Sequence, residues 1–107
     1  MIPPYMAAII RAVCKYFGYE PADILGTRRP KHLSMVRHIA MYLAYEWEPN
    51  NSHLLVAHAF NRSDHTTSLF AHAKVLEAVR NNEVISNHVN QCRHICRALI
   101  STNARSA

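Results

Sequence analysis

Glycine is scarce in this chain, since Gly18 and Gly26 are the only two among its 107 residues. A phosphate-binding Walker loop needs two glycines followed by Lys and Ser or Thr, and a dinucleotide fingerprint needs three glycines close together. The sequence contains neither pattern, so it encodes no nucleotide-driven reaction, and we expect no cofactor. It also lacks a Ser, His and Asp or a Cys and His arrangement that would indicate a nucleophile, so we do not expect an enzyme.

Long apolar runs and paired cysteines are missing as well. The longest nearly uncharged apolar stretch, residues 39–45, is far shorter than the roughly 20 residues that cross a bilayer. The three cysteines, Cys14, Cys92 and Cys96, are an odd number, and the N-terminus has no secretory signal pattern. We therefore expect a soluble, cytoplasmic protein with no disulfides and no membrane partner.

Half of the residues are hydrophobic and 18% are charged, which predicts one compact domain over residues 1–107. Positive charge dominates, because 12 Lys and Arg face 7 Asp and Glu, giving a formal net charge of +5. Such a balance favours an anionic partner such as nucleic acid.

The apolar spacing predicts an all-α fold of about six helices. A first helix ends at Gly18, a single turn follows from Pro21 to Gly26, and residues 36–47 form the longest and most secure helix. Ser52 caps a short helix that reaches Phe60.

After a tight turn at residues 61–63, Asp64 caps a further helix, so that the two helices form a helix-turn-helix. Its expected buried side is Leu69, His72 or Ala73, Leu76 and Val79. A final helix over residues 84–100 buries Val89, Cys92, Cys96 and Leu99, and residues 101–107 form a frayed tail. The near-heptad spacing of this last stripe leaves a dimer open beside the expected monomer.

Four cations, Arg28, Arg29, Lys31 and Arg37, follow one another without an acidic residue from Thr27 to Tyr45. They are either a solvated helix start or a loop whose arginines enter a narrow minor groove.

The segment Asp64-His65-Thr66-Thr67 opens the helix after the turn with side chains that can read base edges. Lys74 lies on the same face and can meet a phosphate.

These motifs together resemble the C-terminal duplex-DNA-binding domain of the bacterial replication initiator DnaA. The resemblance runs from about Ile9 to about Val79, with its two motifs in the correct order and separation. It is carried by Asp64-His65-Thr66-Thr67 with Leu69, Ala71 and Lys74, by Ile39-Ala40-Met41-Tyr42-Leu43 after Arg37, and by Ala22-Asp23-Ile24-Leu25 and Arg28-Arg29.

The resemblance implies a fold related to Trp repressor and recognition of DnaA-box-like sites in double-stranded DNA. It implies base contacts from Asp64, His65, Thr66 and Arg29. It implies phosphate contacts from Arg28, Lys31, Arg37, His38, Arg62, Thr67 and Lys74, with a base contact as the alternative for Thr67.

The chain departs from the family pattern at several positions. Thr27, Met35 and Val36 stand where the family has a lysine and an Arg-Pro-Arg-like run, a loss of about two positive charges from the phosphate grip. The turn Asn61-Arg62-Ser63 replaces Gly-Gly-Arg, and we expect Asn61 to adopt its left-handed conformation. Leu54 replaces a common Pro, and Phe70 replaces a His. Sequence preference can therefore differ from the standard box.

The ATPase module of the initiator has no counterpart here, so we expect a stand-alone regulator of replication or transcription at the nucleoid. The alternative is an interaction module that binds the initiator or another regulator through residues 84–99 or Phe70, with little DNA binding. His88, Cys92 and Cys96 could suggest a metal, but core cysteines explain this spacing better, so we expect no metal. We expect His32, His38 and His65 to raise DNA affinity as the pH falls through about 6.5.

Overall fold

The computed structural model describes the backbone of residues 2–106 and the side chains of residues 2–101. Within this part of the chain every regular element is a helix, which confirms the all-α prediction. In chain order, α1 to α6 are Pro4–Phe17, Pro21–Leu25, Lys31–Trp47, His53–Ala59, Thr66–Asn81 and Glu83–Ser106. No helix of the described residues is long and apolar enough to span a bilayer.

Local signals set one end each of α1, α2 and α4. Gly18 ends α1 in the left-handed conformation at φ 82, and its N–H donates to the Cys14 carbonyl at 2.8 Å. Pro21 begins α2, where its missing N–H is not needed. Ser52 caps α4, because its hydroxyl oxygen accepts from the Leu55 N–H at 3.2 Å. These predicted boundaries are confirmed.

The core is built around α3, which packs against α1, α2, α4 and α5. Its apolar stripe, including Val36, Ile39 and Leu43, is fully buried. Burying each such side chain stabilises the fold by about 1.5–3 kcal/mol. Trp47, the last residue of α3, is partly buried against the same core.

The buried side of α5 is displaced from the predicted one. Leu69 is 48% exposed, whereas Ser68, Ala71 and Val75 are buried. Ser68 can face the interior because its hydroxyl is hydrogen-bonded to His53 Nδ1 at 2.9 Å. Of the remaining predicted positions, His72, Leu76 and Val79 are half-buried and Ala73 is exposed. The prediction that Leu69 is buried is therefore wrong, because the hydrogen-bonded Ser68 faces the interior in its place.

The last helix is longer than predicted. Asn82 Oδ1 accepts from the N–H groups of Val84 and Ile85 at 2.9 and 3.2 Å, so α6 begins at Glu83. It reaches Ser106, beyond the predicted end at residue 100. With 24 residues against 17, α6 rather than α3 is the longest of the described helices.

The predicted apolar stripe of α6 lies against the rest of the domain. Val89, Cys92 and Cys96 are fully or almost fully buried, and Leu99 is 37% exposed. The stripe that suggested a dimer is thus largely used within one chain.

Candidate nucleic-acid interface

The first turn of α5 is fixed by a carboxylate at its N-terminal end. Asp64 Oδ1 accepts from the Thr66 backbone N–H at 3.0 Å, and His65 already has helical dihedrals. Hydrogen bonds from the backbone and the side chain of Thr66, with a smaller effect of nearby His65, hold the pKa of the Asp64 carboxyl below its usual value. The predicted capping by Asp64 is confirmed.

The side chains of this first turn face solvent. The Asp64 and His65 side chains are 64% and 59% exposed and approach each other to 3.3 Å. Thr66 is exposed and Thr67 is half-buried. Lys74 is exposed two turns further along α5, and these groups are accessible to a ligand.

A basic loop leads from α2 into α3. Arg28 and Arg29 are exposed in it, and Lys31, the first residue of α3, is exposed beside it. The loop contains no regular element, and its backbone is held by the side chains of two arginines from other segments.

Arg37 is the first of these two arginines. Its side chain is buried, and its Nε donates to the Ile24 carbonyl at 2.7 Å. Its Nη2 donates to the carbonyls of Asp23 and Arg28, each at 3.0 Å. Burial, followed by the nearby charges of Arg62 and Arg29, lowers the pKa of Arg37. The predicted phosphate contact of Arg37 is wrong, because its guanidinium faces the interior and binds the loop backbone.

Arg62, in the turn between α4 and α5, is the second. Its Nη2 donates to the Gly26 carbonyl at 2.7 Å, and its Nη1 donates to those of Phe60 and Leu25 at 2.9 and 3.3 Å. Both terminal nitrogens therefore bind carbonyls, a supporting role that the sequence analysis did not predict. Arg62 joins the turn to the basic loop. Its neighbour Asn61 has φ 60, which confirms the expected left-handed conformation.

The family described as Bacterial dnaA protein helix-turn-helix matches residues 6–81, which include the basic loop, the turn and the start of α5. The chain belongs to this DnaA helix-turn-helix family. Membership confirms the resemblance found in the sequence and supports DNA binding by this domain.

Individual DnaA proteins are similar over most of the chain. The chromosomal replication initiator protein DnaA of Lacticaseibacillus casei is 35% identical over 89 residues, which are 83% of this chain and 20% of that protein. The protein of the same name from Thermus thermophilus is 33% identical over 88 residues, 82% of this chain and 20% of that protein. The chain spans about a fifth of the length of these relatives.

Three positions where the DnaA family pattern is lost have different surroundings. Thr27 is exposed and Met35 is half-buried, whereas Val36 is fully buried in the core. The side chain of Val36 therefore cannot take part in a phosphate grip, and the surface departures are those at Thr27 and Met35.

His38 is half-buried, and its ring lies edge-on to Phe70 with centroids 5.8 Å apart. Burial, followed by the charges of Lys74 and Arg37, lowers the pKa of His38 from 6.5. The expectation that His38 gains charge as the pH falls through about 6.5 is therefore corrected to a lower pH.

The three cysteines are free and buried, as predicted for core residues. Burial raises the pKa of Cys92 to about 12 and that of Cys96 to about 11, so both are protonated thiols. His88 Nδ1 is hydrogen-bonded to the Tyr16 hydroxyl at 2.8 Å. Among the described residues no group of three His, Cys, Asp or Glu is arranged to hold a metal ion.

The structure brings four predicted contact residues, Arg29, Lys31, His38 and Lys74, to the lining of one groove. Sequence reasoning missed this groove and the roles of Arg37 and Arg62. For Arg37 a signal was present, since Leu33 and Met41, one turn before and after it, are core residues on the same helix face.

Proposed function

We propose that this domain binds double-stranded DNA sequence-specifically at DnaA-box-like sites and regulates replication initiation or transcription. The observation that carries the proposal is the accessible Asp64-His65-Thr66 turn on α5. A loop with two exposed arginines is tied to the same helix-turn-helix by Arg62. Such a pair of features suits a helix in the major groove and an arginine in the adjacent minor groove.

In this proposal Asp64, His65, Thr66 and Arg29 contact bases. An Asp carboxylate accepts from a cytosine amino group, and a Thr methyl packs against a thymine methyl. The proposed phosphate contacts are Arg28, Lys31, His38, Thr67 and Lys74. Arg37 and Arg62 support these contacts indirectly, because they hold the backbone of the loop that carries Arg29.

The proposed protein acts at the nucleoid in the cytoplasm and binds as a monomer. Its function is recognition, with no catalytic step and no cofactor, because a helix and a loop read DNA through side-chain contacts alone.

Fluorescence anisotropy with two labelled duplexes tests the proposal. One duplex carries a DnaA box and the other a scrambled version of it, and each is titrated at two salt concentrations. We expect the affinity for the box duplex to be higher than that for the scrambled duplex by a factor of about a hundred or more. Because four exposed cations (Arg28, Arg29, Lys31 and Lys74) are available, affinity should fall about a hundredfold between about 50 and about 200 mM salt.

The other outcomes separate the alternatives. Equal, salt-sensitive binding of both duplexes would contradict DnaA-box recognition but would still support the phosphate contacts. Absence of binding to either duplex at low salt would overturn the proposal in favour of an interaction module.

A further inference from the structure

A groove of about 860 Å³ lies between the first half of α3, the second half of α5 and the start of α6. Its apolar lining comes from Met35 and Ile39 on α3, Val75 and Ala78 on α5, and Ile85 on α6. A concave apolar surface of this size is typical of a binding site rather than of an ordinary stretch of monomer surface.

The charged side chains that line the groove are all basic. Arg29, Lys31 and Lys74 contribute fixed positive charges, and the described residues that line the groove include no Asp or Glu. An occupant with negative charges around an apolar face would complement both features.

Two exposed apolar side chains lie next to the groove lining. Phe70 is 58% exposed, and its ring contacts His38 and lies 5.6 Å from Lys74 Nζ, both of which line the groove. Val84, 61% exposed, directly precedes Ile85. Exposed apolar side chains therefore lie near the groove on both α5 and α6.

Two departures from the DnaA family pattern fall in this region. Met35 lies in the run where basic residues are expected, and Phe70 replaces a His. Both changes put apolar surface where a DNA-binding face would gain from charge or hydrogen bonding. The two changes therefore favour a second ligand in addition to DNA.

We propose that this groove binds an acidic amphipathic helix of a partner protein. From Phe70 to Ala78, α5 rises about 12 Å at 1.5 Å per residue, which matches about two turns of a docked helix. Apolar side chains of that helix would face Met35 and Val75, and its flanking carboxylates would meet Lys31 and Lys74. DNA and this partner helix compete, because Lys31 and Lys74 serve both.

The binding experiment uses the full chain and three labelled synthetic helical peptides. The first has Leu at positions spaced by three and four residues, with Glu on the remaining faces. The second has Lys in place of every Glu, and the third has Ser in place of every Leu. We expect anisotropy to show binding of the first peptide and no saturable binding of the other two.

Two groove variants and one control locate the peptide. Met35→Glu and Ile85→Glu remove an apolar contact and add repulsion, so each should weaken the acidic peptide about tenfold or more. Leu99→Glu makes the same type of change on α6 outside the groove lining and should leave the peptide affinity unchanged. Circular dichroism melting confirms that the three variants are folded. If a groove variant fails this check, chemical-shift mapping with ¹⁵N-labelled unaltered protein locates the peptide instead.

Failure of the acidic peptide to bind would overturn the proposal, as would equal binding of the Lys peptide. Equal weakening by Met35→Glu and Leu99→Glu, or shifts mapped away from the groove, would do the same. Displacement of bound peptide by the scrambled duplex as well as by the box duplex tests the competition. Direct titration of the duplexes without peptide separates a failure of DNA binding from a failure of this groove.

Discussion

Two groups of arginines in this molecule carry the same charge and have different roles. Arg28 and Arg29 lie exposed on the basic loop, accessible to an anionic ligand. Arg37 and Arg62 direct their guanidinium groups to the backbone carbonyls of that loop and its neighbours. The planar five-donor guanidinium suits both tasks, so residue type alone does not separate a ligand contact from a structural support.

Part of the positive charge of this domain therefore supports the loop that carries the exposed arginines. A loop that presents arginines to DNA repels itself and contains no regular hydrogen bonding. Five carbonyls from Asp23 to Arg28 are bound by the two supporting arginines. The loop is therefore preorganised before any ligand arrives, which reduces the ordering cost of binding.

The largest effect should come from Arg37. Arg37→Met keeps the apolar stem but leaves three carbonyls without their donor, so we expect the free energy of unfolding to fall by about 3 kcal/mol or more. Arg28→Met is the matched control and should change it by less than about 0.5 kcal/mol. Urea unfolding followed by circular dichroism measures both, and equal stabilities would erase the distinction between the two groups.

The next effect concerns the first turn of α5. Thr66→Ala and His65→Ala should each weaken the box duplex by about 1–3 kcal/mol and leave the scrambled duplex nearly unchanged. Lys74→Ala should weaken both duplexes alike, because a phosphate contact carries no base information. Anisotropy titrations decide this, and equal losses on both duplexes from all three changes would contradict the division into base and phosphate contacts.

Arg62→Lys sharpens the comparison further. One ammonium cannot reproduce the guanidinium bonds to the loop and the turn, so the loop should exchange its amide hydrogens faster. We expect about a tenfold loss of affinity for the box duplex through poorer placement of Arg29. Arg80→Lys, an exposed change at the far end of α5, is the control. Unaltered exchange in residues 25–29 would show that Arg62 does not hold the loop.

The smallest effect is a pH dependence at His38. Its pKa lies below 6.5 in the folded chain because of burial and the charges of Lys74 and Arg37. The unfolded chain therefore binds more protons in the interval below pH 6.5, and stability falls as the pH drops through it. His38→Gln should flatten the unfolding curve measured between about pH 6.5 and about pH 5. An unchanged pH slope would argue that His53, whose pKa is also lowered, accounts for the loss.

The sequence predicts most of the fold because its local signals agree with its apolar spacing. Gly18, Ser52 and Asp64 act through bonds to neighbouring residues, so their roles are readable in order along the chain. Arg37 and Arg62 act on carbonyls brought together by tertiary structure, as far as 37 residues away in sequence. No local pattern identifies these carbonyl partners, because only the fold places the basic loop beside the two arginines.

The groove escaped prediction for a similar reason. Met35, Val75 and Ile85 come from three different helices, and no spacing along the chain indicates that they meet. The exposure of Leu69 was missed because Ser68 is stabilised in the interior by His53, a contact between α4 and α5 that no local pattern encodes.

The two ends of α3 differ in a way that helps the experimenter. Its first residue, Lys31, lines the groove, whereas its last, Trp47, is the single tryptophan of the chain and packs against the core. Over 17 residues the helix separates them by roughly 25 Å. Intrinsic tryptophan emission therefore reports unfolding without a label. Ligands bound at the opposite end of α3 do not contact Trp47 directly.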